Sequence, residues 1–278
     1  SGGDDNKVTG NGWSMADSVT FSASGDVNDI GVTLSLELDG DGADGTNQLD
    51  SQSIKLDFGE GGTLTFAGHG GSSAMSAVDD VVPNAYEEPW DVVTGADAGI
   101  INGHSGNNMF TYNYSHDSGV GVTVAYLNAS DAVTDVSYSD IGLTYTGIDG
   151  LTLGYAQGDV EQTTATKSDE HTMYLKYAMG PITVGVQSSE KDEDGGSSND
   201  TESTGVGLTY QVNDDLSVGI GSHTIEYNSG DDQESFGVSA SYTMGSLAIK
   251  AAMNSVDNIA NTATNDRSAY ELGLTFNF

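Results

Sequence analysis

The chain has no cysteine, only seven lysines and arginines together, and three prolines in 278 residues. Each scarcity removes a class of protein. Without cysteine there are neither disulfides nor thiolate metal sites. Against the seven cations stand 42 aspartates and glutamates, a formal net charge of −35, so a basic patch for nucleic acid or anionic headgroups has no residues to build it. No apolar run reaches the ~18 residues of a helical membrane span. Mean hydropathy is negative, so insertion into a membrane would have to use strands closed into a barrel. Neither a proline-rich linker nor a shift in composition divides the chain, which reads as a single domain over residues 1–278. Ser1 is not followed by a basic and then apolar stretch, so any signal peptide is expected upstream of this sequence.

What is present is strict alternation. From Tyr270 to Phe276 the apolar residues Tyr270, Leu272, Leu274 and Phe276 alternate with Glu271, Gly273 and Thr275, and Phe278 continues the stripe. Successive side chains of a strand point to opposite faces, so one face here is wholly apolar and the other small or polar. The pattern recurs through Val19, Phe21 and Ala23; through Val32, Leu34, Leu36 and Leu38; and through Val206, Leu208 and Tyr210. In all, fifteen such strands can be counted. Disordered acidic chains lack regular apolar and aromatic runs of this kind.

The connections are of two alternating kinds. Tight turns rich in Gly, Asn and Asp, such as Asn28-Asp29, Asp149-Gly150 and Gly180-Pro181, supply the positive φ that hairpins require. Between them lie long, polar, acidic loops at residues 39–50, 157–170, 190–202 and 254–268. Short turns at one rim and long loops at the other are the layout of a transmembrane β-barrel, with periplasmic turns and external loops. A β-sandwich is excluded by the Thr, Ser, Gly, Asp and Glu of the non-apolar face, which cannot form a core.

The terminal stripe resembles the last strand of Gram-negative outer-membrane barrels, in which the final aromatic belongs to the assembly signal; Phe278, Phe276 and Tyr270 are the corresponding residues. One connection, residues 70–107, is longer than the rest and holds Pro83 and Pro89, Trp90, and the acids Asp79, Asp80, Glu87, Glu88, Asp91 and Asp97, with no lysine or arginine. With that loop in place, the whole chain resembles a general bacterial porin of the trimeric, sixteen-stranded type, nearest the alphaproteobacterial porins. The resemblance implies an all-β, transmembrane, antiparallel up-and-down barrel in the bacterial outer membrane. Single-chain bacterial barrels have an even number of strands, so a first strand is expected upstream of Ser1. It also implies that residues 70–107 fold into the barrel and narrow it, with the six acids at the constriction. The Pro-Glu-Phe-Gly signature of many relatives is absent; Pro83-Asn84-Ala85-Tyr86-Glu87-Glu88-Pro89 stands in its place.

The alternation places Lys55, Lys176 and Lys250 on the polar face, where the family carries a basic wall opposite its acidic loop. Here that wall is thin, and lysines paired with neighbours such as Asp57 are the competing reading. Asp26, Glu37, Asp39, Asp57 and Glu271 share that face and tip the potential negative, so cations are the expected preference. Outward tyrosines including Tyr126, Tyr155 and Tyr177 fall near strand ends, as an interfacial girdle does. Asp39, Asp41 and Asp44 suggest a loose calcium loop, although the spacing fails the EF-hand pattern. The five histidines form no metal or catalytic spacing, so no enzyme activity and no required cofactor are expected.

The sequence therefore points to a passive, homotrimeric, cation-preferring diffusion channel for small hydrophilic solutes, seated among outer-membrane lipid and lipopolysaccharide. A substrate-specific channel of the same fold is one alternative. A plugged surface barrel with a structural or adhesive role is the other.

Overall fold

A computed structural model describes residues 2–3, 18–39, 49–78, 80–99, 105–128, 136–162, 167–193 and 200–276. Asp79, Asp41, Asp44 and Phe278 lie outside the described residues. The strands are β1 (Gly2–Gly3), β2 (Ser18–Val27), β3 (Ile30–Asp39), β4 (Leu49–Asp57), β5 (Thr63–His69), β6 (Gly71–Ser72), β7 (Ser105–Gly106), β8 (Met109–Ser115), β9 (Val120–Leu127), β10 (Val136–Ile148), β11 (Leu151–Gln162), β12 (Ser168–Met179), β13 (Ile182–Glu193), β14 (Thr201–Gln211), β15 (Leu216–Tyr227), β16 (Gln233–Met244), β17 (Leu247–Asp257) and β18 (Arg267–Phe276). β6 and β7 pair with each other; all the rest form one antiparallel sheet in which each long strand pairs with its neighbours along the chain.

That sheet holds the fifteen long strands counted in the sequence, plus the two-residue β1. β2 and β18 do not pair with each other, so the sheet is open along that line among the described residues. β1 sits against the free edge of β18, Gly2 opposite Tyr270 and Gly3 opposite Ala269, the edge at which the sequence reading expects a further strand. Hairpin geometry follows the turn residues. Asn28 and Asp29 have φ of 50° and 65°, the left-handed pair that lets two residues join β2 to β3 with matching twist.

The burial pattern is the reverse of a soluble protein's. Val206 is 50 % exposed on β14 while Ser203, on the opposite face of the same strand, is 3 % exposed, and Met173 is 51 % exposed beside Thr172 at 0 %. An apolar face left bare around a sheet whose polar face is covered fits a lipid surround. Tyr270, Leu272, Leu274 and Phe276 continue that bare face on β18.

Toward the long-loop rim the strands outrun their apolar stripe. β11 continues to Gln162 and β13 to Glu193, so residues 157–162 and 190–193, expected as loop, are strand. Backbone hydrogen bonding does not stop where the apolar side chains do. On the outward face of this extension His171, Glu190, Glu202 and Glu226 occupy successive cross-strand positions on β12 to β15, and Asp159, Asp169 and Asp192 form a second row on β11 to β13.

Candidate functional site

Residues 70–107 leave the sheet after β5 and return to it at β8. The β6–β7 pair, Gly71 opposite Gly106, ties the two ends of this loop together. Between them the chain runs across the polar face of the sheet, strand after strand. The Met75 amide donates to Asp140 Oδ2 on β10 (2.7 Å), and Val81 donates to Gln187 Oε1 on β13 (3.3 Å), while Gln187 Nε2 donates back to the Val78 carbonyl (2.8 Å). Ala85 donates to Ser239 Oγ on β16 (3.1 Å) and the Tyr86 hydroxyl to Glu271 on β18 (2.5 Å). Asn254 of β17 donates to the Glu88 carbonyl at 2.6 Å. The return half is held by Gln233, which accepts from the Asp97 amide (3.0 Å) and donates to its carbonyl (2.7 Å), and by Arg267, which donates to the Thr94 carbonyl (2.8 Å). Beyond the β6–β7 pair and one 3-10 turn at Met75–Ala77 the loop has to satisfy its backbone largely through side chains, and these polar-face residues provide the partners.

Close approach depends on glycine. A Cβ at Gly207 would lie 2.4 Å from the Pro83 carbonyl oxygen, and one at Gly185 2.4 Å from Pro83 Cδ. Gly219, Gly221, Gly237 and Gly273 likewise face Ala85, Pro89 or Tyr86. Together they make a shallow track along β13 to β18 in which the loop lies. Apolar contact completes the seat: Met75 and Val78 pack with Ala156 and Tyr174, and Val93 with Val256 and Ile259.

The centre of the loop carries its charge. Glu87, Glu88 and Asp91 each bring a carboxylate oxygen within 4.8 Å of the others, a set able to hold a cation. The Glu88 amide donates to Asp91 Oδ2 at 3.1 Å, and Asn84 donates to the Glu88 carboxylate. Burial, then the neighbouring acids, raise all three; Asp91 moves to about 7, with Glu88 the main neighbour. Asp80 adds to the upward push on Glu88 and so belongs to the same group. Asp97 does not. It lies on the return half, where the Tyr227 hydroxyl donates to its Oδ2 at 3.3 Å.

Of the three lysines, Lys250 meets the loop: its Nζ lies 5.4 Å from the centre of the Tyr86 ring. Lys176 is the cross-strand partner of Gly185, on which Pro83 rests. Lys55 is on β4, away from the strands that carry the loop, and lines a depression with Asp26 and Asp57. Asp39 ends β3 opposite Ser18, away from the loop. The sequence reading passed over the tethers themselves, Asp140, Gln187, Gln233, Ser239 and Asn254, and did not place the Trp90 ring against His223, where it lies 4.4 Å away and tilted by 51°. One signal was available: glycines at polar-face positions of consecutive strands, Gly185, Gly205, Gly207, Gly219, Gly221 and Gly237.

Comparison with known proteins agrees with this architecture. The anion-selective porin of Comamonas acidovorans superposes with a TM-score of 0.69 at 17 % identity, covering 95 % of this chain and 90 % of that one. The trimer form of OmpT from Vibrio cholerae gives 0.67 at 15 % identity, over 94 % and 91 %. OmpF of Salmonella typhi, in complex with daunomycin, gives 0.67 at 14 %, over 94 % and 89 %. No curated protein matches by sequence. The family model described as Gram-negative porin matches residues 1–278, and the chain belongs to that family.

Proposed function

We propose that residues 70–107 are the constriction of the channel and that their acids make it prefer cations. As a Gram-negative porin the chain is a diffusion channel of the bacterial outer membrane, its apolar face toward lipid and its polar face toward the pore. The observation that carries the constriction is the path of the loop: it is tethered to the polar face from Asp140 on β10 to Glu271 on β18. A segment laid inside the wall narrows the passage, whereas one standing at the rim does not.

The sign of selectivity follows from the residues on that path. Glu87, Glu88 and Asp91 are clustered, Asp80 and Glu271 add negative charge nearby, and Lys250 lies at the neighbouring Tyr86 ring. In a narrow, low-dielectric opening fixed charge attracts the opposite ion. The Comamonas relative is anion-selective, so the shared fold leaves the sign open and local charge decides it. Passage is by size and electrostatics, without catalysis or a cofactor. Three chains assemble, as the trimer form of the Vibrio protein does. Outer-membrane lipid and lipopolysaccharide surround the assembly, and Tyr270, Phe276 and Phe278 serve as the assembly signal.

Reversal potential in a KCl gradient across a planar bilayer tests the reading. A cation-selective sign is expected, weaker in molar salt because screening shortens to ~3 Å there. A zero or anion-selective potential would overturn it.

A further inference from the structure

The connection between β17 and β18, residues 258–266, is packed onto the return half of the constriction loop. Ile259 is 2 % exposed and shares a buried cluster with Val93 of the loop and Val256 of β17, with Ala96 and Ala269 at its margin. Gln233, fully buried, sits where the elements meet. Its Oε1 accepts from the Asp97 amide (3.0 Å) and from the Ala260 amide (3.4 Å), while its Nε2 donates to the Asp97 carbonyl (2.7 Å). At the end of the segment, Arg267 donates to the Thr94 carbonyl at 2.8 Å.

The segment's own backbone is unusual. Asn258, Ala260, Asn261 and Thr264 have φ of 54°, 52°, 60° and 62°, four left-handed residues among seven, none of them glycine. Asn tolerates this region; Ala and Thr do not readily, and such residues persist where the surroundings over-determine them. The surroundings here are internal bonds, from Asn258 to Asp266 (3.1 Å) and from Ile259 to Asn265 (3.0 Å), together with the loop contacts above. A rim loop with no task beyond joining two strands has no need of such a conformation.

We propose that residues 258–266 are a clip that fixes the return half of the constriction loop, with Gln233 as the positioning residue joining clip and loop. The proposal rests on residues 70–107 being the constriction. The first half of the loop is held by the strands themselves, through Asp140, Gln187 and Ser239. The second half is held at Gln233, Tyr227 and Arg267 and is also packed under the clip, which shares Gln233 with it and covers Val93, so external events at residues 258–266 reach the pore through Gln233 and Val93.

Single-channel recording in planar bilayers tests this with four proteins: the parent, Gln233→Ala, a channel whose residues 259–264 are replaced by a short glycine turn, and one whose residues 82–90 are likewise replaced. The second and third are expected to show open-channel noise raised about twofold and closure at lower voltage, through a loosened pore lining. The fourth is expected to conduct more. A further variant separates positioning from general damage. The chain has no cysteine, so V93C and I259C, added to Gln233→Ala, are its only thiols. Bridging them with a short thiol crosslinker should restore parental noise, and cleaving the bridge should abolish it again. Parental noise and closing voltage in both clip variants, beside raised conductance in the 82–90 replacement, would overturn the clip and leave the constriction standing. Parental conductance in the 82–90 replacement would overturn the constriction and the clip with it.

Discussion

Lys250 and Glu271 meet on one residue: the lysine ammonium lies 5.4 Å from the centre of the Tyr86 ring whose hydroxyl donates to the glutamate at 2.5 Å. The tip of the loop is thus pinned between β17 and β18 by a ring that carries a cation on its face and an anion at its edge. Burial, then hydrogen bonding to Glu271, also holds the Tyr86 hydroxyl well above its ordinary range, so it stays a donor.

Tyr86→Phe keeps the ring over Lys250 and removes the bond to Glu271. A hydrogen bond to a charged group is worth ~1.5 to 3 kcal/mol, less here because the site is solvated. The expected outcome is noisier open-channel current with unchanged ion preference. Tyr86→Ala removes both contacts and should also raise mean conductance. Noise spectra and conductance histograms of the two variants check the order.

Lys250→Met deletes the cation that lies over Tyr86, next in sequence to Glu87. Reversal potential in a salt gradient is expected to move further toward the cation limit, whereas Lys55→Met, on a wall away from the loop, should move it much less. Equal shifts would show that Lys250 has no special place at the narrowing.

Selectivity should follow pH. Asp91 titrates at about 7, and Glu87 and Glu88 lie above their ordinary value, burial being the first cause in each. As pH falls through about 7 the cluster takes up protons, so cation preference is expected to drop between about pH 8 and about pH 5. The stability sign runs the other way. A carboxyl whose folded value is raised favours the seated loop below its unfolded value, and that contribution is lost as pH rises through the folded value. The loop should therefore be quieter in acid and more selective in base. Glu88→Gln with Asp91→Asn should flatten both trends, as recordings across that pH range would reveal.

Gly207→Val places atoms where the Pro83 carbonyl (2.4 Å) and Val82 (2.5 Å) already lie. The loop has to lift from the wall, so conductance should rise while the barrel still assembles. Gly25→Ala, with no atom within 4 Å of its Cβ position, is the matched control and should conduct like the parent.

The strands were legible because a lipid-facing stripe has to be unbroken, as Tyr270, Leu272, Leu274 and Phe276 show. Their upper ends were not, since Asp159, Glu161, Glu190 and Asp192 stand above the apolar band, where backbone pairing continues without an apolar signature. The long loop could be recognised by its length and its acids. Its seat could not: Gln187, Gln233 and Asn254 alternate in the sequence like any water-facing residue, and only folding shows that a backbone lies on them. Asp97 was grouped with Glu87 and Glu88 by nearness in sequence, yet the chain turns back between them and gives it to Tyr227 and Gln233.

The bond from Tyr86 to Glu271 joins residues 185 apart in sequence. Nearly every tether of the loop comes from strands that follow it in the chain, and the tip waits for the last of them. Loop closure over such separations is slow and costs entropy before contacts repay it. The tethers from Asp140, Gln187 and Ser239 lie on β10, β13 and β16 and seat the first half of the loop without β18, but Tyr86 at the tip lacks its bond to Glu271 until that strand is in place. A wall lacking its last strand would therefore carry a filter with a loose tip.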